Sequence, residues 1–420
     1  MTAQTDLRSG ATSVQRQRRG AQPVRLLRVS VPGPGQGEDP LLGSVAVNAA
    51  AAAQEVRGDA VRALELARQL ETTVPLIGDG QTAILFETLA SLAAIDLTAA
   101  RVAEAHLDGL AIVRQAGMKP SELFPATSAT PDATPVWGVF AAEASGVRLN
   151  AVQQSESRSA ATTSTWRLDG TKPWCSLAGS VSHALVTAHT SASTRRLFAV
   201  DLRQPGVSVR TGSWVALSLS SVPSGPVDFA AVMARPIGSD GWYLTRPGFA
   251  WGGIAVAACW FGAAVGVARQ LHAAVRAPAG HPPDQIALAH LGAIDVLLTA
   301  CASALGQAAA AIDSGAATGQ SGALLAARVR GLVARSAEEV LTRVGHSLGP
   351  APLAFDARHA QRVADLELYV RQHHAERDDA ALGRLLLAGP PHEDAVDQEH
   401  GTKHQDAAEQ ERGAAGGAPW

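Results

Sequence analysis

Apolar positions recur along the chain at two different periods, and the switches between them divide it into three blocks. Between positions 45 and 70 alanine is abundant, and Val61, Leu64, Leu66 and Leu70 fall at helical spacing. Gly78-Asp-Gly-Gln interrupts the pattern, and a second helical run over 82–94 carries Leu85, Leu89 and Leu92. Asp96 before Leu97-Thr-Ala-Ala opens a third helix that runs to Gln115 and is closed by Gly117. An Asp at that place accepts a hydrogen bond from a free first-turn N–H, and Gly tolerates the left-handed turn that ends a helix.

From Pro120 to Gly238 the texture changes, and Pro, Gly, Ser and Thr punctuate short runs. Residues 162–168, the Asp169-Gly170 pair and residues 171–175 predict a β-hairpin, because Asp-Gly suits the positive φ angles of two-residue hairpin turns. Residues 184–188, 197–202, 207–210 and 227–232 predict further strands of an antiparallel sheet. From Phe249 the helical period returns. Residues 252–275 are small and apolar nearly all round, which predicts a helix buried in a bundle. Long helices follow over 285–315 and 321–347, and a last one over 356–388 after Leu348-Gly-Pro-Ala-Pro. Blocks segregated in this way predict an α+β fold. Its expected parts are a helical domain (41–119), a β domain (120–240) and a four-helix-type bundle (241–388). A polar Arg-rich arm (1–40) and a His/Glu/Gln/Gly-rich tail (389–420) flank them, both expected to be disordered.

Composition narrows the function. The 420 residues are 46% hydrophobic, which excludes disorder of the whole chain, and a net charge of −3 offers no broad basic field for nucleic acid. Cys175, Cys259 and Cys301 are far apart and form no C-x-x-C pair, so neither a zinc knuckle nor a disulfide framework is indicated, and a reducing cytoplasm fits. No secretory-type apolar run lies near the N-terminus, and residues 252–266 are too short and too rich in Gly and Ala to argue for a membrane span. No G-x-G-x-x-G follows a strand and no Walker A motif occurs, so Rossmann and P-loop sites are absent. His392, His400 and His404, in the polar tail, read as solvated, and no metal is expected.

One segment carries chemistry. Leu168-Asp-Gly-Thr-Lys-Pro-Trp-Cys-Ser-Leu-Ala-Gly179, with Trp137-Gly-Val-Phe-Ala-Ala-Glu143 upstream and Val227-Asp-Phe-Ala-Ala-Val downstream, resembles the acyl-CoA dehydrogenase superfamily over residues 45–388. The family pattern in the first segment is G-x-K-x-W-[IV]-[ST]-x-[GA]. The resemblance implies FAD as cofactor and a homodimer or homotetramer. A flavin ring has a polar edge and a flat apolar face; a hydroxyl can bond the first and a Trp can pack beside the second. By resemblance, Ser176 takes the hydroxyl role, Trp174 the ring contact, and Cys175 lies between them. Ala141, Ala142 and Glu143 would offer backbone groups to the pyrimidine end. Arg276 and Gln285 would meet the diphosphate and adenosine parts across a subunit interface, although the family's R-x-x-F-G lacks its Phe here and the spacing to the Gln is two residues short.

The resemblance implies oxidation of a CH–CH bond in an acyl thioester carried by CoA or an acyl-carrier protein, with an electron-accepting flavoprotein as a further partner. That reaction needs a base, in this family a Glu eight residues after an Arg-Asp pair. Counting eight from Asp365 reaches His373. Three readings follow: His373 or His374 is the base, a carboxylate such as Glu367 or Glu376 reaches the site, or the flavin chemistry is different. Monooxygenase branches of the superfamily carry a His in this region and a Gly-Arg-Leu-Leu-like end, here from Gly383. Gly253 stands where the family often has an Arg, and the E-P-x-A-G-S-D segment is lost. Those losses also admit a relative that has kept the fold as a structural or binding subunit.

Overall fold

The computed structural model describes residues 40–124, 135–154, 165–276, 282 and 284–388. The predicted arm and tail lie outside the described residues, except for Pro40. Twelve α-helices and seven strands are described, in three successive stretches. First come α1 (Pro40–Ala53), α2 (Ala60–Leu70), α3 (Thr82–Ile95), α4 (Leu97–Gln115) and the short α5 (Pro120–Leu123). The strands follow: β1 (Trp137–Phe140), β2 (Leu149–Gln153), β3 (Trp166–Lys172), β4 (His183–His189), β5 (Arg195–Asp201), β6 (Val207–Val209) and β7 (Val227–Ile237). Last come α6 (Trp242–Thr245), α7 (Pro247–Arg276), α8 (Gln285–Asp313), α9 (Gly319–Leu348), α10 (Ala351–Phe355), α11 (Ala357–Tyr369) and α12 (Glu376–Leu387).

Helix starts are set by acidic caps. Asp59, Asp96 and Asp356 each accept first-turn N–H groups of α2, α4 and α11. The start of α3 has no side-chain cap of its own; Asp313, at the end of α8, accepts from Thr82 N at 3.0 Å and from its hydroxyl at 2.5 Å. Helix α7 runs through the centre, packed on α3 and α9. Its glycines explain how close it comes: a Cβ on Gly262 would overlap the Ala90 carbonyl, and one on Gly266 would lie 2.8 Å from the Ala94 carbonyl. These positions are four apart on both helices, so one small-residue seam lets the backbones of α3 and α7 touch.

The sheet closes into a circuit and differs from the expected one in two ways. Its strands pair in the order β4-β2-β3-β7-β5 and back to β4, with β1 beside β4 and β6 beside β7. It is mixed, because β1 and β2 run parallel to β4. In addition, Asp169-Gly170 is not a hairpin turn. Strand β3 passes straight through it, with a register shift against β7 between Leu168 and Gly170. Gly170 has φ +122°, and a Cβ there would overlap the Arg148 carbonyl, so glycine is required where β3 bulges against β7 while keeping an unbroken register with β2. The predicted helix over 45–70 is two helices, and that over 356–388 is α11, a 3-10 turn (Val370–Gln372) and α12.

Candidate functional site

The segment after β3 is over-determined by its backbone. Cys175 N donates to Gly225 O at 3.0 Å and Leu177 N to Pro223 O at 2.8 Å. Held at both points, Trp174 and Leu177 adopt left-handed φ angles of 57° and 55°, each costing about 1–2 kcal/mol. The result is a sorting of side chains. Cys175 and Leu177 turn into the core, Trp174 stands 56% exposed, and Ser176 is half-buried. The Cys175 thiol bonds the Lys172 carbonyl at 3.3 Å, and burial pushes its pKa up to about 12, so it offers a ligand no thiolate.

The Ser176 hydroxyl lies 2.8 Å from the Ser224 hydroxyl and accepts from Arg101 Nη2 at 3.3 Å. Arg101 and Ser176 line a narrow cleft between α4 and β1, with Ala105, Val139, Phe140 and Val222. Arg101 also donates to Glu104 Oε2 at 3.0 Å, and its guanidinium lies 5.8 Å from the centre of the Tyr369 ring. Arg101, Glu104 and Asp108 share one face of α4 at i, i+3 and i+7. Burial raises the Glu104 pKa to about 7, against the pull of Arg101. It raises Asp108 too, although Arg246 and Arg101 oppose it. No motif marked Arg101 or Glu104; the available signal was an R-x-x-E-x-x-x-D spacing inside an otherwise small, apolar helix.

The predicted pyrimidine-end residues follow β1. Ala141 and Ala142 are accessible, and the Ala141 carbonyl accepts from Thr187 Oγ1 at 3.4 Å. Glu143 is tied by its Oε1 to the fully buried Lys172 at 2.6 Å and to Arg195 at 3.1 Å. These partners overcome its desolvation and lower its pKa. Lys172 Nζ also donates to Thr187 at 2.8 Å, so this lysine pins the exit of β1 to β3 and β4. Arg276 and Gln285 are exposed, at the end of α7 and the start of α8.

His373 and His374 lie not on a helix but in the break between α11 and α12. His373 is buried, its ring edge-on to Trp260 at 6.4 Å. Its Nδ1 accepts the Ala375 N–H at 3.2 Å, and Nε2 stands 3.8 Å from Asp378. Burial lowers its pKa, so the neutral ring is favoured. His374 is mostly exposed and bonds Asp378 Oδ1 at 3.2 Å through Nδ1. Glu367 and Glu376 are exposed. The structure therefore groups Ser176, Arg101 and Glu104, with the exposed Trp174 two residues before Ser176 on the same loop, while Tyr369 and Trp260 stand between that group and His373. Beside the break, Arg330 from α9 fills the space over Gly253: a Cβ there would meet its Cδ at 3.2 Å. It donates to Gly253 O at 2.9 Å and Gln372 O at 3.0 Å, over the Trp260 ring at 4.7 Å. Trp260 and Phe261 are core residues, and Trp251 Nε1 donates to Ala317 O at 2.6 Å. Among the described residues, no group of three His, Cys, Asp or Glu is placed to hold a metal.

The backbone path matches several solved structures. Butyryl-CoA dehydrogenase from Megasphaera elsdenii superimposes with a TM-score of 0.69 at 16% identity, over 84% of this chain and 99% of that one. The chain has the acyl-CoA dehydrogenase fold. TdsC from Paenibacillus sp. A11-2, a dibenzothiophene monooxygenase solved with FMN and indole, gives 0.68 at 16% identity over 84% and 98%. KijD3, solved with FMN and a dTDP-linked amino-keto sugar, gives 0.67 at 17% over 87% and 98%. No family model and no curated protein matches the sequence.

The chemistry of Trp174 and Ser176 suits a flavin ring. An exposed Trp held in a strained backbone offers a flat apolar surface, and the adjacent half-buried hydroxyl offers a hydrogen bond to a polar edge.

Proposed function

We propose that this protein is a flavin-dependent oxidoreductase. The ring sits against Trp174, with its polar edge at the Ser176 hydroxyl and its pyrimidine end at the backbone of residues 141–143. The flavin, when bound, supplies two-electron redox chemistry. The chain's own residues orient it: Lys172 and Glu143 hold the strand exit, and the backbone bonds of Cys175 and Leu177 hold the loop. The observation that carries this reading is the outward-turned, left-handed Trp174 beside Ser176. Arg276 and Gln285 extend the site in an oligomer that binds FAD.

Two chemistries fit the fold: oxidation of an acyl thioester at a CH–CH bond, and oxygenation with separately supplied reduced flavin. The second is favoured by the break between α11 and α12. A base there needs a free lone pair in a dry pocket; the His373 Nδ1 lone pair is already taken by Ala375 N–H, and His374 is mostly exposed. Oxygenation asks the protein for a dry, orienting pocket more than for a strong base.

The test is direct. The purified protein is titrated with FMN and FAD, oxidised and reduced, and the oxidised holoprotein is mixed anaerobically with acyl-CoA. Tight binding of reduced flavin without bleaching by acyl-CoA supports the oxygenase. Bleaching supports the dehydrogenase, and binding of no flavin in either state overturns the whole reading.

A further inference from the structure

Arg101 and Glu104 form a buried ion pair that no sequence motif marks, placed against the hydroxyl of Ser176. The Arg101 side chain is 15% exposed and that of Glu104 8%, so water screens neither well. Arg101 also meets the Ser176 hydroxyl and the face of Tyr369, so its charge is directed toward the cleft as well as toward Glu104. Resting on the flavin reading above, we infer that Arg101 is the positive charge beside the flavin ring at Ser176, and that Glu104 sets how much of that charge the ring meets. Hydride uptake by an oxidised flavin adds one proton and two electrons, leaving the ring one unit more negative. A fixed guanidinium therefore favours the reduced ring over the oxidised one.

The pair is adjustable. Glu104 is faced by Arg101 and Asp108 on α4, Arg330 on α9, Cys259 on α7, Tyr369 on α11 and Tyr243 on α6. With the Glu104 pKa raised to about 7, protonation as pH falls removes the countercharge and leaves Arg101 uncompensated. The preference for reduced flavin then rises as pH falls through that value.

The experiment compares dissociation constants for oxidised and dithionite-reduced FMN and FAD under anaerobic conditions, from pH 6 to 8. Wild type is set beside Arg101→Lys, Glu104→Gln and the double variant Arg101→Met/Glu104→Gln, which removes both charges and leaves neither ion buried alone. The double variant should lose about tenfold or more of the wild-type preference for reduced flavin, and Arg101→Lys should retain most of it. Glu104→Gln should raise the preference and remove the component of its pH dependence that belongs to the protein. A double variant that binds both states with the wild-type ratio overturns this inference alone. A wild-type protein that binds neither flavin overturns the inference together with the proposed function.

Discussion

Helices α7 and α8 have 30 and 29 residues, and both are long and apolar enough to cross a membrane. Their surroundings are opposite. In the most apolar stretch of each, 72% of residues are buried in α7 and 11% in α8. The difference lies in which residues are small and where. Gly262 and Gly266 let α7 press its backbone against α3, so the helix is enclosed by neighbours. Helix α8 turns Ile294, Cys301, Leu305, Ala308 and Ile312 inward at helical spacing and leaves Ile286, Leu288 and Val296 exposed. Apolar composition thus identifies a helix that needs cover, and close-packing positions decide whether its own chain supplies it. Exposed apolar residues along α8 fit the homo-oligomer proposed for this protein.

The α3–α7 seam is the most sensitive part of the α7 surroundings. Gly262→Val should destabilise the fold by about 4 kcal/mol, at the upper end for overpacking, because the obstacle is the Ala90 backbone. Urea unfolding measures it, and near-wild-type stability would show that the helices can separate freely. On the inward side of α8, Leu305→Ala should cost about 3 kcal/mol, since Leu305 is fully buried.

The wall that α4 presents to α7 adds a pH term. The Glu104 pKa is raised in the folded protein, so the native state binds its proton more tightly than the unfolded chain does. Its contribution to stability is therefore present at low pH and is lost as pH rises toward about 7. Between pH 5.5 and 8 wild type should lose roughly 2 kcal/mol relative to Glu104→Gln, read from paired denaturation curves. A parallel pH dependence in the two proteins would contradict the raised pKa. The smallest stability effect belongs to the outward side of α8: Val296→Asp should change it by about 0.5 kcal/mol or less. The same variant should lower the particle mass in sedimentation if a second copy covers that face, and an unchanged oligomer would place the interface elsewhere.

How much was legible varied with the signal each element carried. Helices α3, α4, α7, α8 and α9 could be read because their apolar repeats are long and Asp96, Gly117 and Gly349 mark ends. Strand β2 was missed: only Leu149 and Ala151 face inward along it, too short an alternation to register. Asp169-Gly170 was misread because the pair suits both a turn and a bulge, and the continued pairing of β3 with β7 on both sides of it settles which. The break at 373–375 carries no Gly or Pro; Ala375 takes φ +49° there, held by its N–H bond to His373 and its carbonyl bonds to Asp378 and Asp379. At the site, Trp174 and Ser176 were visible as a motif, whereas Arg101 and Glu104 were not, because their partners are distant in sequence or buried by elements far along the chain.

By itself, then, the sequence determined the order of helical and β blocks, the capped helix start at Asp96 and the Lys-Pro-Trp-Cys-Ser segment. These depend on neighbours within a few residues: periodicity, caps and local turn chemistry. Tertiary structure alone decided the strand circuit, the close seam under Gly262, the burial of the Arg101–Glu104 pair and the contrasting surroundings of α7 and α8. Each of those depends on which distant backbone or charge arrives at a given surface, and on the desolvation that follows.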